Sequence, residues 1–308
     1  MPCYYPLHGF RAKTRNKSGK RSIAFNPSHG FRDLPVTVPC GQCVGCKLER
    51  SRQWAVRCVH EARMHEKNAF LTLTYKPEAL PRYGSLFPKH LVDFMKRYRF
   101  WLNEDYQQKI RFFACGEYGE QFSRPHYHVL IFGHDFHDKK HLTTVNGNDL
   151  FTSRKLEDLW THGLCTIGDA TFESAAYVAR YVTKKITGEK ALDHYNQINH
   201  QTGEILSERI PEFVTMSRRP GVGKLWFDRF TKDVYPSDEV IIRGKRFKPP
   251  KYYNTQYEKL FPDDYAKIKA ARISAAKNIP ELEKTWERLQ VKETIQKQRF
   301  EQLKRNYE

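Results

Sequence analysis

Two strand-like runs joined by a short loop do most to limit how this chain can fold. Ile110-Arg111-Phe112-Phe113-Ala114-Cys115-Gly116-Glu117 is rich in β-forming residues, and Pro125-His126-Tyr127-His128-Val129-Leu130-Ile131-Phe132 is largely apolar apart from two imidazoles. A loop through Gly119, Ser123 and Pro125 turns the second run back beside the first, so the pattern predicts a β-hairpin. Successive side chains on a strand point to opposite faces. His126 and His128 therefore share a face that Tyr127, Val129 and Ile131 do not.

Two neutral imidazoles on one face form a chelating pair that needs a third ligand, usually a carboxylate, and open positions for substrate. Glu117 is the first choice for that ligand and Glu120 the second, because sequence does not set the register of the hairpin. The competing reading is a pair of strand histidines that bind nothing.

A second pattern bears on the first. Ala176-Tyr177-Val178-Ala179-Arg180-Tyr181-Val182-Thr183-Lys184-Lys185 reads as a helix that follows a strand-like Cys165-Thr166-Ile167. Tyrosines at i and i+4 project from one helix face, and Arg180 and Lys184 each lie three residues beyond a tyrosine. A phenol with a pKa of about 10 is a poor nucleophile unless its oxygen is activated or its target polarised. A metal on phosphate oxygens, with Lys or Arg beside it, does the second job. The competing reading is an aromatic stripe packed on the sheet.

Phe70-Leu71-Thr72-Leu73-Thr74-Tyr75, the histidine strand and the tyrosine helix occur in that order. Together they resemble the HUH endonuclease superfamily, named for histidine, hydrophobic residue, histidine, and within it the two-tyrosine rolling-circle replication initiators. Met1-Pro2-Cys3-Tyr4, Val38-Pro39-Cys40-Gly41-Gln42-Cys43-Val44-Gly45-Cys46 and Tyr177-Val178-Ala179-Arg180-Tyr181-Val182 narrow the resemblance to initiators of microvirus- and gokushovirus-type single-stranded DNA phages. It covers residues 1 to about 190, with a weaker trace at Ser217-Arg218-Arg219-Pro220-Gly221.

The resemblance implies an α+β fold, with a central antiparallel sheet of about five strands like that of an RNA-recognition motif and helices packed on it. It implies Mg2+ or Mn2+ at His126, His128 and Glu117, and Tyr177 and Tyr181 exchanging the role of nucleophile. Single-stranded origin DNA would be cut and rejoined through a 5′-phosphotyrosine. Arg180, Lys184 or Lys185 would hold phosphates, with Lys184 favoured by its spacing. The freed 3′-hydroxyl would prime a host DNA polymerase.

Composition agrees with a polyanionic partner. Lys and Arg outnumber Asp and Glu by 53 to 35, and 14% of residues are aromatic, which suits a surface that meets phosphates and stacks bases. Arg11, Lys13, Arg15, Lys17, Lys20 and Arg21 crowd the start of the chain and read as a phosphate-contacting arm or a solvated tail. No apolar run approaches membrane-spanning length, and residues 1–30 lack the apolar core of a signal peptide. The cytoplasm of a bacterial host is the expected location.

Seven cysteines without an export signal argue for reduced thiols. Cys40, Cys43 and Cys46 form Cys-x-x-Cys-x-x-Cys, and Cys3 would complete a four-thiolate structural Zn2+ site, with Cys58 as the other candidate. Unligated buried thiols are the competing reading. Cys115 and Cys165 read as core residues.

Four segments are expected: a basic, cysteine-containing stretch over 1–50, an endonuclease core over 51–190, an irregular extension with some strand over 191–254, and a charged helical segment over 255–308. Helices are expected over Ser51 to Glu66, from Pro88, near Ser153 to Trp160, and from Ile279 to Tyr307. Their order with the strands suggests an antiparallel sheet with helices on one side. His134, His137 and His141 read as surface residues of a polar loop. Gly221-Val222-Gly223-Lys224 lacks the spacing of a phosphate-binding P-loop, so unwinding would fall to a host helicase. Two other classes stay open: a histidine-metal phosphohydrolase of nucleotides, and a non-catalytic nucleic-acid packaging protein.

Overall fold

The computed structural model describes residues 3–17, 19–119, 121–180, 190–198 and 201–302. They fall into two units, one of residues 1–49 with 271–304 and one centred on residues 50–270. In the first, β1 (Leu7–Arg15) lies between β2 (Arg21–Ala24) and β3 (Gly30–Val38). Gly30 sits so close to Phe10 that an added Cβ would meet the Phe10 Cβ at 2.4 Å, so only glycine lets these strands cross there. Helix α1 (Val44–Ala62) runs from this unit into the second.

The second unit is built on a seven-stranded antiparallel sheet, in which the histidine run is an interior strand. Its strands are β4 (Asn68–Thr74), β5 (Arg111–Tyr118), β6 (Pro125–Phe132), β7 (Lys140–Val145), β8 (Asn148–Thr152), β9 (Cys165–Gly168) and β12 (Phe213–Met216), in the order β12-β5-β6-β4-β9-β8-β7. The α+β class is as the sequence suggests, and the sheet is wider than five strands.

Helices cover both faces of this sheet, a correction to the one-sided arrangement. Leu71, Leu73, Tyr127, Val129 and Ile131 pack against α2 (Pro88–Tyr106) and α3 (Arg154–Trp160) through Leu91, Phe94, Tyr98, Leu156 and Trp160. Phe70, Phe113, Cys115, Leu130 and Phe132 pack on the other face with Cys58 of α1 and with α4 (Phe172–Arg180). A strand buried on both sides loses the polar alternation of a half-exposed one, which accounts for the unbroken Val129-Leu130-Ile131-Phe132.

Residues 190–260 carry α5 (Lys190–Tyr195), the hairpin β10 (Asn196–Ile198) with β11 (Ile205–Glu208), α6 (Lys224–Val234), the hairpin β13 (Val240–Ile242) with β14 (Lys245–Phe247), and α7 (Lys251–Leu260). Trp226 and Phe227 of α6 and Tyr253 and Tyr257 of α7 form a further core with Val56 of α1. Buried Glu61 ties these parts together, accepting hydrogen bonds from the Gly223 amide at 2.5 Å and from Arg111. The chain then enters α8 (Pro262–Lys277) and, in the first unit, α9 (Trp286–Glu301), where Tyr5 donates to Glu293 at 2.7 Å.

His134 is a second correction. It is buried, with Nδ1 2.7 Å from the Tyr98 hydroxyl, while His137 and His141 are exposed as expected. The Phe132–Gly133 turn carries it under α2, which hydrophilic neighbours such as Asp135 and Lys139 conceal in the sequence.

Candidate metal centre

The hairpin register sets Glu117 beside the two histidines. Glu117 stands opposite His126 and Cys115 opposite His128, and the tip is closed by the Gly119 amide donating to the Arg124 carbonyl at 3.0 Å. Residues opposite each other across two strands share a face. His126 Nε2 lies 2.8 Å and His128 Nε2 2.7 Å from the same atom, Glu117 Oε1. Glu117 and His128 are 1% and 2% exposed, whereas His126 is 18% exposed, so the centre is closed toward the core and open at His126.

The surrounding hydrogen bonds set which nitrogens face inward. His126 Nδ1 is 3.2 Å from the Arg124 carbonyl, which can only accept, so Nδ1 carries a proton and Nε2 is the nitrogen that faces Glu117. His128 Nδ1 is 3.1 Å from Thr72 Oγ1, whose strand position is directly opposite. Burial pushes the Glu117 carboxyl up, but His126 and His128 outweigh it and hold its pKa at about 2. An ionised carboxylate and two imidazole nitrogens, with ligand atoms within 4.8 Å of one another, fit a divalent cation that would take the place of the protons between them. The Arg124 and Thr72 contacts are of the kind that orient metal-bound histidines.

The tyrosine helix abuts this triad. Its first turn is fixed reciprocally: the Thr171 amide donates to Ser174 Oγ at 2.8 Å and the Ser174 amide to Thr171 Oγ1 at 3.1 Å. That start places the Tyr177 ring edge-on to His128, centroids 5.1 Å apart, and 6.3 Å from Phe70. Phe70 in turn stacks on His128 at 5.4 Å. Tyr177 is 3% exposed. Tyr181, Lys184 and Lys185 lie outside the described residues, as does the alternative ligand Glu120. Thr72 and Phe70 are neighbours of the site to which sequence reasoning assigned no role. Their only signal was a strand of the right type upstream.

The four cysteines form a second cluster within the first unit. The sulfurs of Cys3, Cys40, Cys43 and Cys46 lie within 4.8 Å of one another, and Cys58 is buried instead in the core of the second unit. Backbone amides aim at the sulfurs: Cys40 N donates to Cys3 Sγ at 3.2 Å, Cys43 N to Cys40 Sγ at 3.3 Å, and Tyr4 N to Cys43 Sγ at 3.4 Å. Gly41, at φ +77°, makes the left-handed turn that brings Cys43 back under Cys40. Burial pushes the Cys40 thiol up, yet the amides of Cys43 and Gln42 and the Cys3 sulfur outweigh it and hold its pKa at about 7. Four soft sulfur donors with amide support fit a tetrahedral metal ion.

Comparison with known proteins places the chain. Replication-associated protein VP4 of Bdellovibrio phage phiMH2K is 32% identical over 259 residues, spanning 82% of this chain and 77% of its own length. The chain belongs to the phage replication-associated proteins. Replication-associated protein ORF2 of Spiroplasma virus 4 is 34% identical over 253 residues, covering 77% of this chain and 74% of its own. ORF4 of Chlamydia phage 1 is 30% identical over 241 residues, covering 77% and 57%. The family model of replication-associated protein ORF2/G2P matches residues 68–186, the stretch from β4 past α4 that holds both the triad and Tyr177. No solved structure matches the chain. Among the described residues, no helix is long and apolar enough to cross a membrane.

Proposed function

We propose that this replication-associated protein is a metal-dependent, site-specific single-strand DNA endonuclease and strand transferase that initiates rolling-circle replication of a small circular viral genome. The observation that carries the reading is the Glu117, His126 and His128 triad with the Tyr177 ring against His128. The names of the phage relatives support it.

In this reading His126, His128 and Glu117 hold Mg2+ or Mn2+, which suit a mixed nitrogen and oxygen donor set beside a phosphate. When bound, the ion polarises the scissile phosphate and stabilises charge on its oxygens. The chain supplies the nucleophile. The Tyr177 or Tyr181 phenol oxygen bonds to phosphorus, the bond to the 3′-oxygen breaks, and the phenol proton ends on the departing 3′-hydroxyl. Lys184 holds the phosphate. With one tyrosine still linked to DNA, the other cuts the regenerated origin, and the new 3′-hydroxyl attacks the first phosphotyrosine, breaking the bond from phosphorus to that phenol oxygen, which takes the proton, and closing a circle. A host polymerase extends the first 3′-end and a host helicase opens the duplex. The four cysteines hold a structural Zn2+.

The test is incubation with single-stranded origin DNA and Mn2+. Site-specific cleavage with covalent retention of DNA is expected in the wild type and not in His128→Ala. Turnover of free nucleotides without an adduct would favour a phosphohydrolase. Tight binding unchanged in His128→Ala, with no cleavage, would favour packaging.

A further inference from the structure

We propose that the N-terminal β-ribbon is a second DNA contact, gripping phosphates without regard to sequence. This rests on the reading of the chain as a DNA enzyme, but concerns a surface outside the triad.

Arg11, Lys13 and Arg15 of β1 are exposed, Lys17 and Lys20 lie in the turn that follows, and Arg21 opens β2. The first acidic residue of the chain is Asp33. Among the described residues, Arg11, Lys13, Arg15, Lys17 and Arg21 make no ion pair with a carboxylate. Arg15 and Arg21 are paired directly across the two strands. Like charges opposite each other destabilise a ribbon, and here backbone oxygens and one ring partly relieve them, with no carboxylate between: Arg15 donates to the Gly19 carbonyl at 2.8 Å, Arg21 donates to the Ala12 carbonyl at 3.1 Å, and the Arg21 guanidinium lies 4.8 Å from the centre of the Phe31 ring. An anion laid along the ribbon would remove that repulsion, and a phosphate backbone presents such anions in series.

The ribbon is also built to hold a position. At its base Leu7 pairs with Val38, next to Cys3 and Cys40 of the sulfur cluster, so a metal there would clamp both strand ends. The cations run along the outer half of β1, from about 13 Å from Leu7 at Arg11 to about 26 Å at Arg15. Phe25, 57% exposed beyond β2, adds an aromatic face on which a base can stack.

The test uses the full zinc-loaded chain without Mg2+ or Mn2+, with fluorescence anisotropy on a single-stranded and a duplex oligonucleotide across a salt series. In the R11Q, K13Q and R15Q triple variant, binding is expected to weaken at least tenfold. The slope of log affinity against log salt should become shallower by about 2 on single strands or nearly 3 on duplex. Loss on either form supports the contact and shows which one the ribbon holds. A control triple of K89Q, K96Q and R154Q, exposed cations of α2 and α3, should keep the wild-type slope. Zinc content and circular dichroism report that the variants are folded. An unchanged slope in the ribbon variant, or an equal fall in the control, overturns the proposal. Adduct formation on a short oligonucleotide spanning only the nick should be unaffected. If the wild type forms no adduct at all, the nicking reading fails while the slopes still judge the ribbon.

Discussion

Glu117 and His126 face each other across neighbouring strands, with His126 Nε2 2.8 Å from the carboxylate oxygen that also meets His128. Glu117→Gln keeps the side chain's shape and removes the charge. Mn2+ affinity, measured by calorimetry, is expected to fall at least about 100-fold, the upper end of what losing a merely supporting partner costs. An unchanged affinity would remove Glu117 from the ligand set.

Thr72 Oγ1 lies 3.1 Å from His128 Nδ1, where it can orient that ring. In Thr72→Val the contact with His128 Nδ1 is lost while volume is nearly kept. Mn2+ affinity should drop by about 10- to 100-fold, and Thr72→Ser should restore it. Equal affinities in all three proteins would make Thr72 an ordinary strand residue.

The hairpin shows what was legible in the sequence and what was not. Period-two alternation put His126 and His128 on one face without any structure, and the helix expected from the tyrosine spacing is present through Tyr177 to Arg180, while Tyr181 lies outside the described residues. The choice between Glu117 and Glu120 depended on how the tip closes, and that is set by the Gly119 to Arg124 bond rather than by composition. Thr72 reaches His128 from a strand 56 residues away, so no local pattern points to it. Cys3 joins the cysteine cluster because Leu7 pairs with Val38, a long-range register that the Cys-x-x-Cys-x-x-Cys spacing does not contain. His134 was misread because loop polarity says little about one ring tucked beneath a helix.

The two candidate fourth thiols give a direct metal count. Elemental analysis of the purified chain should find zinc in the wild type and in Cys58→Ser, and little in Cys43→Ser or Cys3→Ser. Zinc retained in Cys3→Ser but lost in Cys58→Ser would reverse the assignment.

Stability should depend on pH through His60, which stacks on Trp226 with ring centroids 3.4 Å apart and has Nδ1 3.0 Å from the Tyr253 hydroxyl. Burial, with Arg63 adding to it, pushes its pKa down to about 3. Below about pH 6.5 the unfolded chain takes up a proton at this residue that the folded chain refuses, so stability present at neutral pH is lost as the pH falls toward 3. The loss attributable to His60 is about 1.4 kcal/mol per pH unit within that window. Urea unfolding at pH 7, 6 and 5 should show this extra slope in the wild type, and His60→Gln should flatten it. Equal slopes would mean the ring titrates alike in both states.

Tyr177 is 3% exposed and its ring stands edge-on to His128, with centroids 5.1 Å apart. The most direct measurement is the intact mass and peptide map of the covalent species formed with single-stranded origin DNA and Mn2+. An adduct on Tyr177 or Tyr181 is expected in the wild type, on the remaining tyrosine in Tyr177→Phe and Tyr181→Phe, and on neither in the double variant. An adduct undiminished in the double variant, or mapped to another residue, would contradict the account.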